Sequence, residues 1–144
     1  MYKRQVILKG ILDVEDAKMA AKLGADAIVV SNHGGRQLDG ALSSIRMLRP
    51  ILDAVGADTD VYLDGGIRSG QDILKALAMG AKGTLIGRSF IYGLGAMGKK
   101  GVTTALEVMH KELSTSMGLC GVTQIDKLSE DILLIPEDFE GRWQ

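Results

Sequence analysis

Two groups able to move protons and clamp anions sit three residues apart in the stretch Ser31-Asn-His33-Gly-Gly-Arg36-Gln-Leu-Asp39. An imidazole takes or gives a proton near neutral pH, and a guanidinium grips a carboxylate through two parallel hydrogen bonds. The Gly34-Gly35 pair between them lets the backbone turn tightly and leaves room for a flat ligand. The segment follows an apolar run, Ala27-Ile-Val-Val30, that reads as a buried parallel strand. A base beside a carboxylate clamp at a strand end suggests proton removal next to an acid group; taken alone, the histidine could equally be structural.

A second chemical stretch is Asp64-Gly-Gly-Ile-Arg68-Ser-Gly70, which leads into a helical pattern. Its glycines expose amides, and the positive end of the helix dipole favours an anion. One strand later, Gly87-Arg88 offers another close backbone approach and another cation. Together they point to a phosphorylated ligand. By contrast, Gly93-Leu-Gly95-Ala-Met-Gly98 spells the dinucleotide fingerprint without the strand it needs directly before it. His110 reads as a surface or packing residue.

The elements that must position these loops follow from periodicity. Strands are expected at 6–8, 27–30, 61–63 and 83–86. Helices are expected from Asp13, a natural N-cap, to Leu23, with Gly24 ending the turn, then over 42–55, from Ser69 or Gly70 to about Met79, and over 89–98 and 102–117. Pro50 is expected to kink or split the second helix. Leu106, Met109, Leu113 and Met117 recur at helical spacing and read as a core stripe. Ala21-Lys-Leu-Gly24-Ala echoes Leu77-Ala-Met-Gly80-Ala two units later, each a helix end preceding a strand. Alternating strand and helix predicts an α/β fold with a parallel sheet and right-handed crossovers. Lys9, His33, Asp64 and Arg88 are each expected just after a strand, where (βα)8 barrels carry their active sites. Four such units make half a barrel.

Composition narrows the classes further. The 144 residues suffice for one domain, and 46% hydrophobic with 24% charged residues is ordinary for a globular chain. A net charge of −1 argues against nucleic acid as a partner. A single cysteine, Cys120, excludes an internal disulfide and a cysteine-based metal site, and reads as a small buried apolar residue. With two histidines, a histidine-rich metal centre is not expected either. No apolar run reaches the roughly 18 residues of a membrane span. The opening Met1-Tyr-Lys-Arg-Gln5 lacks a following signal-type core. The expectation is a soluble, cytoplasmic protein, with no feature supporting peripheral membrane contact.

Taken together, the loops resemble the FMN-dependent α-hydroxy acid dehydrogenases and oxidases, the family of L-lactate dehydrogenases, glycolate oxidases and mandelate dehydrogenases. The likeness runs from Leu8-Lys9-Gly10 to about Leu133, and its most specific part is the Ser31–Asp39 stretch. It implies the C-terminal half of a (β/α)8 barrel, four parallel strands with flanking helices, as a single unit over residues 1–144. It also implies FMN as cofactor and a small 2-hydroxy acid as substrate. Lys9 would lie near the flavin pyrimidine, Ser31 would contact FMN, His33 would be the catalytic base and Arg36 would hold the substrate carboxylate. Asp64, Gly65, Gly66, Ile67, Arg68, Gly87 and Arg88 would bind the ribityl and phosphate groups. The half resembling strands one to four has no counterpart here, and with it would go an acidic group that orients the base. The two outer strands would then be apolar edges, which self-association into a pseudo-complete barrel would cover. The other readings are a non-catalytic phosphate-binding half-barrel and a barrel enzyme of the IMP dehydrogenase type.

Overall fold

The computed structural model describes residues 4–139, so part of the charged opening read at Met1–Gln5 lies outside the described residues. Its centre is β2 (Ala27–Val30), a strand of three β-branched residues and an alanine, buried on both faces. Strand β1 (Ile7–Ile11) pairs with it on one side and β3 (Asp60–Asp64) on the other, and β4 (Gly83–Leu85) joins β3. All three pairings are parallel and the order is β1-β2-β3-β4. This is the α/β arc of consecutive strands that a half-barrel requires.

Helices α1 (Val14–Lys22), α2 (Ser44–Val55) and α3 (Gly70–Ala78) make the crossovers. Asp13 caps α1 by accepting from the Glu15 and Asp16 amides. On the helix side of the sheet, Ile28, Val30, Val61 and Leu63 meet Leu48, Ile51 and Val55 of α2 and the small residues Ala17 and Ala20 of α1. Each large side chain so buried contributes about 1.5–3 kcal/mol. The period-two alternation of the strands turns Lys9, Ser31 and Asp64 to the opposite, concave side, where their polar groups meet.

Four expectations need correction. Helix α2 runs unbroken through Pro50. Proline lacks the amide that would bond the Arg46 carbonyl, yet Leu48, Ile51 and Val55, buried on either side of it, hold both halves against the sheet. Lys9 lies within β1 rather than after it. In the core stripe, on the long helix α4 (Arg88–Leu119) with its bend at Met97–Gly98, Met109 and Met117 are buried but Leu106 is exposed. Cys120 is exposed, at the point where α4 stops and the chain turns through Gly121. A short apolar run carries no periodic signal of which side faces out.

Gly93 and Gly101 approach backbone to backbone across the α4 bend, so the fingerprint-like glycines serve a helix reversal. His110 is exposed on α4. The outer edges of the arc are apolar, with Ile7 and Leu8 of β1 and Leu85 of β4 all exposed. No helix among the described residues is long and apolar enough to cross a membrane.

Candidate active site

A cavity of about 490 Å³ opens on the concave side, at the C-terminal ends of the strands. Lys9, His33, Arg36, Asp64, Gly65, Gly66, Ile67, Arg68, Gly87 and Arg88 all line it. Of the residues singled out in the sequence, Ser31 alone stands behind the wall.

Ser31 is fully buried, one residue beyond β2. Its hydroxyl accepts from the Lys9 ammonium at 3.1 Å and from the His33 amide at 3.1 Å, and donates to Asp64 Oδ1. A hydroxyl has one proton and two lone pairs, so this one is saturated by the protein itself. Lys9 Nζ closes the set with Asp64 Oδ2 at 2.8 Å. One side chain thus ties together the ends of β1, β2 and β3. It holds a lysine and a carboxylate, with 38% and 18% of their side-chain surfaces exposed, as a hydrogen-bonded pair rather than as isolated charges.

Above this floor, His33–Gly35 forms a single 3₁₀ turn. The Asn32 side chain accepts from the Gly34 amide at 3.1 Å and donates to the Leu42 carbonyl at 3.3 Å. His33 has φ +53°, the sole positive φ on a non-glycine residue among the described residues. Such a conformation persists only where its surroundings over-determine it. The Asn32 amide donates to Ser44 Oγ at 3.2 Å, fixing the turn to the start of α2. The Gly65 turn then fits beneath: a Cβ there would lie 2.7 Å from Ser44 Oγ and 2.9 Å from Asn32 Oδ1. Sequence reasoning assigned no role to Asn32 or Ser44. An asparagine preceding a Gly-rich turn is a recognisable signal, but Ser44 gains its partner only through tertiary packing.

The anion end differs in one respect from expectation. The start of α3 is closed by the protein's own carboxylates. Ser69 and Asp72 form a capping box, Asp72 Oδ2 accepts from the amides of Arg68 at 3.0 Å and Ser69 at 2.9 Å, and Glu112 of α4 accepts from Gly70 at 2.8 Å. The positive helix end turned to the cavity is that of α4 instead. Its N-cap, Gly87, makes no side-chain capping bond and its first turn holds no acidic residue. With the Arg68 and Arg88 guanidiniums and the Gly65-Gly66 backbone on the same wall, this end suits a phosphate group. Arg88 also reaches across to the Gly34 carbonyl at 3.4 Å, linking the anion end to the histidine turn.

The arrangement therefore gathers an imidazole, a guanidinium, a lysine–carboxylate floor and an anion-suited helix start around one cavity. The sequence profile of FMN-dependent dehydrogenases matches residues 1–135. An L-lactate dehydrogenase of Caulobacter sp. (strain K31) is 54% identical over 132 residues, covering 92% of this chain and 35% of that protein. An L-lactate dehydrogenase of Pseudomonas syringae pv. syringae (strain B728a) is 54% identical over 133 residues, with the same coverage of 92% and 35%. Among solved structures, a mandelate oxidase mutant with the monooxide FMN adduct superposes with a TM-score of 0.83 at 50% identity, covering 87% of this chain and 40% of that one. A mandelate oxidase with benzoyl-formic acid gives 0.84 at 50% identity, covering 87% and 37%. The chain thus spans about 35% of the length of the curated relatives it matches. It belongs to the FMN-dependent dehydrogenase family.

Proposed function

We propose that this chain supplies the base, the carboxylate clamp and the phosphate cradle for FMN-dependent oxidation of an L-2-hydroxy acid, such as L-lactate, to the 2-oxo acid. The observation that carries the reading is that His33, Arg36, Lys9 and the Arg68–Arg88 end share one cavity. The donor set fits the cofactor: two guanidiniums and an uncapped helix start suit a phosphate dianion, and Lys9 suits the electron-rich edge of a flavin pyrimidine. FMN, when bound, supplies the acceptor for the two electrons the substrate loses.

The chain's own groups have separate tasks. Arg36 pairs with the substrate carboxylate and so fixes the carbon to be oxidised. His33 Nε2 or Nδ1 takes a substrate proton, held over the cavity by its turn. Lys9 carries positive charge to the flavin site and is oriented by Ser31 and Asp64. Ser31 serves as this junction, because its hydroxyl is already saturated; a direct contact with FMN would have to replace one of its three bonds. Asp64, Gly65, Gly66 and Ile67 shape the ribityl passage, and Arg68, Gly87 and Arg88 receive the phosphate. Family membership favours this reading over an enzyme of the IMP dehydrogenase type.

Residues 1–144 form one half-barrel unit, inactive alone, whose cavity is completed across the exposed edges of β1 and β4. Self-association through those apolar edges and a cytoplasmic location belong to the same reading. The test begins with the purified chain and added FMN, measuring flavin fluorescence quenching, visible spectrum and oligomeric mass. The complementary half, taken from an L-lactate dehydrogenase relative, is then supplied. Bleaching of the flavin band by L-lactate in that assembly, abolished by His33→Gln with FMN still bound, is the expected result. Turnover that survives His33→Gln removes the base from the proposal. A folded chain that binds phosphate but stays colourless and inert in both settings supports the non-catalytic reading instead.

A further inference from the structure

The β1–β2 ladder contains a fault that no strand pattern requires. Lys9 pairs with Val29 and Ile11 with Val30, so Gly10 is an extra residue without a partner on β2. Such a bulge re-aims side chains and is common beside active sites. Its effect here is specific. Without it, the period of two would put Lys9 and Ile11 on the same face. With it, Lys9 faces Ser31 and Asp64 while Ile11 packs with the core on the helix side.

The extra residue also lies against the histidine. Gly10 has φ +105°, and a Cβ placed on it would fall 2.6 Å from His33 Nε2, 3.4 Å from Cε1 and 3.6 Å from Cδ2. The imidazole edge therefore occupies the space that any other amino acid would fill at position 10. The turn that carries the ring is itself held, the His33 amide donating to Ser31 Oγ and the Gly34 amide to Asn32 Oδ1, so shifting the turn to move the ring would strain both bonds.

We propose that Gly10, the unpaired residue of the β1 bulge, is a positioning residue for the His33 imidazole. Its missing side chain is the seat in which the ring edge rests beside Lys9. The inference rests on the reading of His33 as the base only for its functional meaning; the seat itself is a geometric claim.

The chain has two histidines, so ring-proton NMR of the full 144-residue protein resolves His33 against His110, which is exposed on α4 and serves as an internal reference. In the wild type, a nuclear Overhauser contact between Gly10 Hα and the His33 ring is expected, and its absence overturns the proposal. In Gly10→Ala, the His33 ring signals shift while those of His110 stay. Gly24→Ala is the control: it has a comparable φ of +86° with nothing within 4 Å of the added Cβ, and it leaves both rings unmoved. Unmoved His33 signals in a folded Gly10→Ala protein would refute the seat. Should that variant unfold too readily for NMR, its urea midpoint is compared with that of Gly10→Ala/His33→Ala. Removing the ring removes the clash, so Gly10→Ala lowers the midpoint less in the His33→Ala background than in the wild type; an equal drop in both backgrounds counts against the proposal. None of these outcomes depends on turnover, so the seat and the base can fail separately.

Discussion

Gly65→Ala tests whether the histidine turn and the phosphate turn are locked together. Two costs can be worked from the structure. Gly65 has φ +94°, a conformation that costs an L-residue about 1–3 kcal/mol. The new Cβ would also stand 2.7 Å from Ser44 Oγ and 2.9 Å from Asn32 Oδ1. Neither atom can yield freely. Ser44 is 2% exposed and its oxygen accepts the Asn32 amide, while Asn32 Oδ1 accepts from Gly34. Moving both weakens two hydrogen bonds, each contributing about 0.5–1.5 kcal/mol. The sum is about 2–6 kcal/mol, a large part of the roughly 5–15 kcal/mol that stabilises an ordinary domain.

The assay is urea unfolding followed by circular dichroism, with Gly66→Ala as the matched control. Gly66 has a similar φ of +84°, but nothing lies within 4 Å of its added Cβ. It should therefore show the backbone cost alone. At about 1–3 kcal/mol per molar urea, the contact cost of about 1–3 kcal/mol separates the two midpoints by about 0.3–3 M. Adding Ser44→Ala to Gly65→Ala removes the nearest obstacle and should recover part of the loss. Equal midpoints for the two alanine variants, or strict additivity with Ser44→Ala, would show that the turns are not interlocked.

Other expectations concern binding and the edges of the unit. Arg68→Ala and Arg88→Ala should each weaken FMN binding about 10–100-fold, as expected for one charge-assisted contact, with a shallower salt dependence measurable by fluorescence titration; an unchanged affinity would take that arginine out of the cradle. In the complemented enzyme, Arg36→Lys should raise KM for the hydroxy acid while FMN affinity holds, because a lysine cannot reproduce the two-pronged clamp; an unchanged KM would sink the assignment. Arg46 donates to the carbonyls of Asp138 at 2.9 Å and Phe139 at 3.3 Å and lies 5.5 Å from the Phe139 ring centre. Arg46→Ala should speed hydrogen exchange and proteolysis around 134–139 and leave the sheet protected. Equal rates in the two proteins would mean that this residue does not hold the segment down.

Much of the cavity's lining was legible from local residue order. His33, Arg36, Asp64, Arg68 and Arg88 follow apolar runs whose period identifies strands, and a parallel α/β arrangement puts successive strand ends on one rim. Those residues line one cavity for that reason. Caps were legible too, since Asp13 and Ser69 act on amides two or three residues away. What local order could not reveal depends on partners distant in sequence. That Ser31 is a saturated junction needs Lys9 and Asp64 from neighbouring strands. That α3 offers no free first turn needs Glu112, more than forty positions on. Pro50 misleads because burial on both sides of it outweighs one missing amide. The bulge at Gly10 is invisible because alternation is a two-residue rule, and one extra residue is detected only when a partner strand sets the register. Short-range propensity decided which residues could act; side-chain packing between strands and helices decided which of them meet.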